Sequence, residues 1–158
     1  MSFSGFVGKS IQITNSVISF YRAASVAYTG GTPIPFNGIA AGNGTFPACS
    51  LNTGTGVFTC NATGTYIINV YPYFLFGTLG VTVLGNLFVN GSLYQITTQQ
   101  YINSAYTNQY INIYFDATLN ITVPGTTFYF TVTVSSASAM TLQGSSATGA
   151  YGNVTYWG

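Results

Sequence analysis

Residues 49–71 read CSLNTGTGVFTCNATGTYIINVY, a run in which two cysteines flank a glycine-rich turn. The Gly-Thr step at residues 54–55 lies midway between the cysteines and predicts a two-residue hairpin turn with glycine in its first position. Counting outward from this turn places Cys49 opposite Cys60 on one face of the hairpin. Residues 65–71 then alternate in character with the two-residue period of a strand. The run therefore predicts β structure.

Similar runs rich in Val, Ile, Thr, Tyr and Phe recur along the chain, and no window keeps the apolar period of a helix. The Asn90-Gly91 step predicts a tight hairpin, because both residues accept positive φ values. The Pro124-Gly125 step predicts a second hairpin after the alternating strand at residues 118–123. We expect about eight to ten strands in one all-β sandwich or jelly roll. The clearest strands are residues 20–28, 65–71, 80–89, 109–115, 118–123, 128–134 and 154–157.

The length of 158 residues and the lack of a linker or repeat fit one domain, which we place at residues 18–158. Residues 1–17 form a separable N-terminal segment: an extension, a stalk connection or a strand donated to a neighbour. Ile11 and Ile13 alternate with polar residues, as a donated strand requires. No segment that resembles a signal peptide follows Met1. We therefore expect either that a leader has been removed or that the protein reaches the surface without the secretory route.

Formal charge is almost absent, since the chain holds Lys9, Arg22 and Asp116 and has no Glu or His. Nucleic-acid binding needs several cations against phosphates, so this partner class is excluded. Enzymatic, metal and cofactor chemistry need groups that are missing, which indicates a protein with neither enzymatic activity nor a cofactor. Asp116 is expected to bond turn amides or to pair with Arg22. Stability is expected to vary little from about pH 2 to 8, because few groups titrate.

Residues 66–89 carry no charge and are long enough to cross a bilayer as a helix. Pro72 and several glycines interrupt this run, and Val81 and Val83 flank Thr82 with the period of a strand. We therefore expect no membrane insertion.

Cys49 and Cys60 are the two cysteines of the chain. A cross-strand disulfide between them would stabilise the fold by about 3 kcal/mol, and an even pair in an extracellular protein is usually oxidised. The alternative is a pair of buried free thiols. Redox catalysis and zinc binding need closer thiols or further ligands, so we expect the pair to be structural.

The same run carries a family resemblance. Leu51, Phe58, Gly64, Tyr66 and Ile68 have the spacing of the complement one-q signature. Further similar segments are residues 25–28, the PIPF of residues 33–36 with the Asn-Gly of 43–44, and residues 89–91, 119–132 and 151–152. Residues 20–158 therefore resemble a domain of the complement one-q and tumour-necrosis-factor type.

This resemblance implies a ten-stranded jelly roll that assembles into a compact homotrimer around aromatic and apolar side chains, usually above a fibrous stalk. In its low charge the chain is also similar to the tip domains of bacterial spore-surface filaments. Three positions depart from the signature: Phe46 stands where Asn or Asp is preferred, and Ile68 and Val70 replace aromatics. The acidic calcium-site residues of some relatives are missing, so no metal site is implied.

Two aromatic groups are candidate contact surfaces, because the chain holds more aromatics than the interior of a small sandwich needs. The first would line a threefold axis, with ordinary subunit core as the alternative: Tyr66, Tyr71, Tyr73, Phe74 and Phe76. The second suits a cell-surface glycan or receptor, with a solvated loop as the alternative: Tyr94, Tyr101, Tyr106 and Tyr110. Five Asn-x-Ser/Thr sequons are candidate glycosylation sites: Asn43, Asn61, Asn90, Asn120 and Asn153.

Together these features predict a non-enzymatic, extracellular, homotrimeric head or spike domain with structural and attachment roles on a virion, spore or cell surface. Two other functions stay open. One is a filament or coat subunit that donates residues 1–17 to a neighbour, and the other is a secreted ligand of a receptor. Fold resemblance alone does not separate them.

Overall fold

The computed structural model describes residues 16–40, 47–77, 81–102, 109–135, 139–144 and 149–158. Asn43, Tyr106 and residues 1–15, which entered the predictions above, lie outside this part of the chain. Every helix or strand element within it is a strand, as predicted. The fourteen strands are β1 (Ser16–Tyr21), β2 (Val26–Tyr28), β3 (Gly38–Ile39), β4 (Cys49–Asn52), β5 (Val57–Cys60), β6 (Gly64–Tyr71), β7 (Tyr73–Phe76), β8 (Val81–Val89), β9 (Ser92–Ile102), β10 (Gln109–Asn112), β11 (Phe115–Ile121), β12 (Thr126–Val134), β13 (Met140–Leu142) and β14 (Tyr151–Trp157).

The strands form two layers. One layer is a five-stranded sheet in the order β4-β5-β12-β8-β9. The other layer combines two sheets, β11-β6-β14-β1-β3 and β10-β7-β13-β2, whose strands continue one another along the chain. Apolar side chains from both layers point inward and form one core. This arrangement is the two-layer sandwich of a jelly roll.

Four long strands are each interrupted once: β1 continues as β2, β6 as β7, β10 as β11 and β13 as β14. Counted through these breaks, the fourteen strands of the described residues make ten, the number that the resemblance implied. Pro72 separates β6 from β7, because proline has no N–H to donate to the ladder. The register nevertheless continues across the break, since Val70 pairs with Phe115 and Tyr73 with Asn112.

Strands β8 and β9 form the hairpin that the Asn90-Gly91 step predicted. Both turn residues have positive φ, 49° for Asn90 and 77° for Gly91. The register shifts twice along β9, where Tyr94 and Thr97 have no partner on β8. These two bulges bend and twist the edge of the sheet.

The cysteine hairpin has the predicted register, with Cys49 opposite Cys60, but its turn is longer than predicted. Four residues, 53–56, join β4 to β5 where the sequence predicted two. The Asn52 side chain accepts two N–H groups of this loop at 3.0 and 3.2 Å, and Gly56 has a φ of 72°. An asparagine that bonds its own turn and a glycine at positive φ favour this wider loop.

The Pro124-Gly125 turn does not form the predicted hairpin. Strand β11 before it pairs with β6, whereas β12 after it pairs with β5 and β8 in the other layer. The chain therefore crosses between the layers at this turn. Gly125 donates its N–H to the carbonyl of Cys60, 2.7 Å away, which ties the crossing to β5. The local sequence specifies a turn here but not the strands that pair on either side of it.

Aromatic rings join the two layers in the core. The ring centroid of Phe58 lies 4.8 Å from that of Phe20 in the opposite layer and 4.8 Å from that of Phe128. Phe130 contacts Phe115 across the layers at 5.0 Å. All five rings are completely or almost completely buried within the subunit. The outer faces of the sheets are therefore the surfaces available for contact with other molecules.

The predicted pairing of Asp116 with Arg22 is wrong. Asp116 lies in β11 opposite Asn69, whereas Arg22 follows β1, three strands away, or about 14 Å at the usual strand spacing. The guanidinium of Arg22 instead donates to the carbonyl oxygens of Ala24 and Pro35, at 2.9 and 3.0 Å. The cation thus ties the break between β1 and β2 to the neighbouring loop.

Candidate functional site

The outer face of the β11-β6-β14-β1 sheet presents one side of every strand to the surface. In β6, Tyr66, Ile68 and Val70 are buried against the other layer, and the residues between them are partly exposed. The same alternation of buried and exposed side chains holds along β11 and through the first half of β14. The outward side chains of these strands therefore form one continuous surface.

Five tyrosines, Tyr71, Tyr73, Tyr110, Tyr114 and Tyr151, stand close together on this surface, and we call them the tyrosine face. The Tyr71 ring contacts those of Tyr114 and Tyr151, with centroids 5.6 and 5.4 Å apart. Tyr73 stacks on Tyr110 at 5.4 Å. Tyr110, Tyr114 and Tyr151 are 55%, 51% and 52% exposed. Mutually packed tyrosines with exposed edges are typical of protein interfaces, since each ring offers apolar area and a polar hydroxyl.

Strand pairing brings these residues together from distant parts of the chain. Tyr71 of β6 pairs with Tyr151 of β14, and Tyr114 lies opposite Tyr71 in the register that β10 and β11 share. Paired side chains point to the same face of a sheet. Sequence reasoning missed Tyr114 and Tyr151 as contact residues. The available signal was that Tyr110, Tyr114 and Asp116 are separated by even numbers of residues, which places their side chains on one face of a β run.

Next to the tyrosine face lies a polar area. Asn69 pairs with Asn153, and the Nδ2 of Asn69 donates to the Oδ1 of Asn153 at 3.3 Å. Asp116, the one acidic residue of the chain, lies beside Asn69 on β11. Burial and then the negative charge of Asp116 raise the pKa of Tyr71. The Tyr71 hydroxyl is therefore neutral near neutral pH, and Asp116 lies at the border of the tyrosine face.

The residues predicted to line a threefold axis divide into two sets. Tyr66, Phe74 and Phe76 are completely buried inside the subunit, so they serve its core, as the alternative reading held. Tyr71 and Tyr73 lie on the tyrosine face. The division follows the alternation of the strand, because Tyr73 and Phe74 are neighbours that point to opposite faces.

The residues predicted to bind a glycan or receptor also divide. Tyr110 belongs to the tyrosine face. Tyr94 and Tyr101 lie on β9, the edge strand of the other layer, and both are more than half exposed. Leu93 and Ile96 of the same strand are also more than half exposed. We call Leu93, Tyr94 and Ile96 the edge stripe.

Four of the sequon asparagines lie in the described part of the chain. Asn61, Asn90 and Asn120 are exposed, whereas Asn153 is half-buried in the polar area. The Nδ2 of Asn61 donates to the carbonyl of Pro47 at 3.1 Å, so a glycan there would have to share that nitrogen. A glycan on Asn153 would cover the sheet face itself. Glycosylation at these sites stays a prediction.

The side chains on these surfaces are mainly aromatic rings, hydroxyls, amides and two aliphatic groups, which suit recognition. The described residues contain no group of three or more His, Cys, Asp or Glu side chains able to hold a metal ion. Nor is there, among the residues the structure covers, a helix of the length and apolarity needed to span a membrane.

The two layers, their order and the buried aromatic core define a jelly-roll protein, and solved structures specify its type. The structure of Eiger TNF from S. frugiperda is similar over 90% of this chain and 92% of that chain, with a TM-score of 0.67 and 14% identity. A murine APRIL structure at pH 8.0 covers 90% of this chain and 98% of its own, with a TM-score of 0.57 and 12% identity. A second APRIL structure, at pH 8.5, has the same coverage, a TM-score of 0.52 and 14% identity.

The chain therefore has a tumour-necrosis-factor-like jelly-roll fold. No protein-family model and no curated protein matches its sequence. At such low identities the structural likeness establishes the fold and leaves function to be argued from the surfaces of the molecule.

Proposed function

We propose that this protein is a non-enzymatic, extracellular head domain that forms homotrimers through the tyrosine face and serves structural and attachment roles on a virion, spore or cell surface. The observation that carries the proposal is the cluster of five packed tyrosines on an outer sheet face, three of them about half exposed. The resemblance to the complement one-q and tumour-necrosis-factor type implies the same assembly state.

Covering the tyrosine face with a second subunit would be favourable for two reasons. Removing apolar ring surface from water contributes about 25 cal/mol per Å². The rings of Tyr71, Tyr114 and Tyr151 already hold one another in place, so little side-chain freedom remains to be lost on association. The net charge of +1 adds almost no repulsion between copies.

A closed threefold ring needs two different patches on each subunit, because its contacts are head-to-tail. We propose the edge stripe of Leu93, Tyr94 and Ile96 as the second patch. Gln95 of the same strand lines a cleft together with Asp116 of β11, so the stripe and the polar area lie on adjoining sides of the sandwich. This placement supports a contact between the stripe of one subunit and the tyrosine face of the next.

The near-absence of charge supports display in a dense surface layer, where charged heads would repel one another. Exposed Tyr101 remains the candidate contact for a neutral ligand such as a cell-surface glycan. A secreted receptor ligand is the alternative that the similarity to Eiger TNF and APRIL keeps open. Two binding measurements on the assembled trimer separate attachment from receptor signalling. Binding to glycan arrays would support attachment, and binding to receptor-bearing cells would support a secreted ligand.

The mass of the protein in solution, measured by light scattering, tests the assembly. We expect a wild-type trimer and a largely monomeric Tyr151→Glu variant, because a carboxylate buried without a partner costs about 3 kcal/mol or more at each interface. Val123→Glu is the matched control: Val123 is 63% exposed at the β11–β12 turn, and this variant should remain trimeric.

A monomeric wild-type protein, or a Tyr151→Glu variant that stays trimeric, would contradict the proposal. Growth of the mass without limit as concentration rises would instead favour the filament or coat subunit.

A further inference from the structure

Cys49 and Cys60 are free thiols in this structure, at a ladder position that suits a cross-strand disulfide. Cys49 and Cys60 lie opposite each other in the β4–β5 ladder, and their side chains are 1% and 0% exposed. Asn61 donates its N–H to the carbonyl of Ala48 at 2.7 Å, a bond between the residues just outside the pair. Cys49 and Cys60 therefore form a non-hydrogen-bonded pair, the ladder position where Cα atoms are about 4.5 Å apart. Disulfides span about 4.4–6.8 Å between Cα atoms, so the strands need not move.

The pair lies at the open end of a hairpin whose first strand has few sheet contacts. Among the described strands, β4 is an edge strand that pairs with β5 alone. The Tyr66 hydroxyl spans the open end, 2.6 Å from the carbonyl oxygen of Ala48 and 2.8 Å from that of Ala62. The Asn61 side chain adds a bond to the Pro47 carbonyl. These contacts close the hairpin over both thiols, so a reagent reaches them only when β4 detaches.

The hydrogen bond between the two thiols has opposite effects on them, and it lowers the pKa of Cys60. The hydrogen bond with Cys60, followed by burial, raises the pKa of Cys49 well above its usual range. Cys49 therefore keeps its proton, and the burial of both thiols is what limits their attack on a disulfide while β4 stays docked.

We propose that Cys49 and Cys60 are a redox modification site whose disulfide latches edge strand β4, and that the bond forms while β4 is open during folding. A small-molecule disulfide such as oxidised glutathione is the oxidant. One cysteine thiolate attacks it, releasing one glutathione thiolate and leaving a mixed disulfide. The second cysteine thiolate then displaces the second glutathione. The two released thiolates take up the two protons that the cysteines lost, so one protein disulfide and two glutathione thiols result.

The test compares the oxidation rate of the refolding protein, in which β4 is still open, with that of the folded reduced protein, in which β4 is docked. The full chain is exposed to oxidised glutathione either during refolding from denaturant or after folding in reductant, and intact mass with thiol alkylation reports the bond. We expect the protein to lose two hydrogen atoms during refolding. In the folded reduced protein the rate of oxidation should be lower by a factor of about ten or more. The double variant Cys49→Ala/Cys60→Ala should show no mass change. Two free thiols after oxidative refolding, or equal rates in both arms, would overturn the proposal.

A pair of tyrosine variants tests the closure itself. Tyr66→Phe removes the hydroxyl that spans Ala48 and Ala62, and we expect it to speed oxidation of the folded reduced protein several-fold. Tyr156→Phe is the matched control, because its hydroxyl donates to the nearby Thr63 carbonyl at 2.9 Å without touching β4. We expect no change of rate in this control. Equal rates in the two variants would show that the Tyr66 hydroxyl does not hold β4 closed. Neither test depends on the trimer.

Discussion

Tyr28 is a buried tyrosine whose hydroxyl joins two segments of the chain. The hydroxyl donates to the carbonyl of Thr32 and accepts the N–H of Val132 at 3.0 Å. Its ring lies 5.1 Å from that of Phe74 in the core. Burial raises the pKa of Tyr28 to about 12, although its hydrogen bonds act in the opposite direction. Sequence reasoning did not single out this residue, because its role depends on the loop that folds over it.

The raised pKa of Tyr28 predicts a loss of stability in alkali. An unfolded tyrosine ionises near pH 10, whereas folded Tyr28 keeps its proton up to about pH 12. Between these values the unfolded state binds fewer protons than the folded state. The contribution of Tyr28 to the free energy of unfolding is therefore complete below pH 10 and is lost as the pH rises through 12. The loss amounts to about 3 kcal/mol of unfolding free energy.

Urea denaturation of the wild type and Tyr28→Phe at pH 8 and pH 12 measures this contribution. At pH 8 the variant should be about 1–2 kcal/mol less stable, because the Val132 N–H loses its acceptor. Between the two pH values it should lose less stability than the wild type. Equal losses in both proteins would contradict the assignment to Tyr28.

At the scale of strands, the sequence predicts local geometry better than pairing partners. The Asn90-Gly91 hairpin was predicted because two adjacent residues that accept positive φ specify a tight turn by themselves. The crossing between layers at Pro124-Gly125 was not predicted, because the pairing partner of β12 depends on contacts between distant residues, such as the packing of Phe128 on Phe58. The tyrosine face was predicted only in part for the same reason, since Tyr114 and Tyr151 join it only once β6, β11 and β14 are side by side.

Two complementary variants test the head-to-tail contact between strands of neighbouring subunits. Tyr151→Glu alters the tyrosine face and leaves the edge stripe intact, whereas Ile96→Glu alters the edge stripe and leaves the tyrosine face intact. Each variant alone should be monomeric. Mixed in equal amounts they should form a heterodimer, because one native contact between face and stripe remains. Native mass spectrometry distinguishes the species, with circular dichroism to verify folding. Variants that stay monomeric when mixed would contradict this arrangement.

At the scale of the whole molecule, periodicity and turn residues predicted an all-β sandwich or jelly roll, and the family resemblance specified the ten-stranded jelly roll. Short alternating runs with turn residues between them leave few other ways to bury so many apolar side chains. They did not show which aromatic residues point outward: alternation places Tyr66 and Tyr71 on opposite faces of β6, and the packing of the sheet decides which face is buried. The fold was therefore largely predictable and the candidate contact surface only in part.

The scarcity of titrating groups predicts a flat thermal profile in acid. The chain has one side-chain carboxyl, that of Asp116, and no Glu or His, and Asp116 is exposed and does not pair with Arg22. The melting temperature, measured at one protein concentration, should change by no more than about 5 °C between pH 2 and 8. Asp116→Asn should give a similar curve. A much larger shift in the wild type alone would mean that this carboxylate has a strong interaction in the folded assembly.

The two bulges of β9 have a consequence for crowded solutions. Most proteins keep apart by charge, and a net charge of +1 gives this one little colloidal protection. A long apolar edge strand is ordinarily a template on which further strands grow. With Tyr94 and Thr97 out of register, the outer row of N–H and C=O groups on β9 is irregular, and a flat strand from another molecule does not match it. The shape of one strand thus replaces charge as the defence against fibre growth.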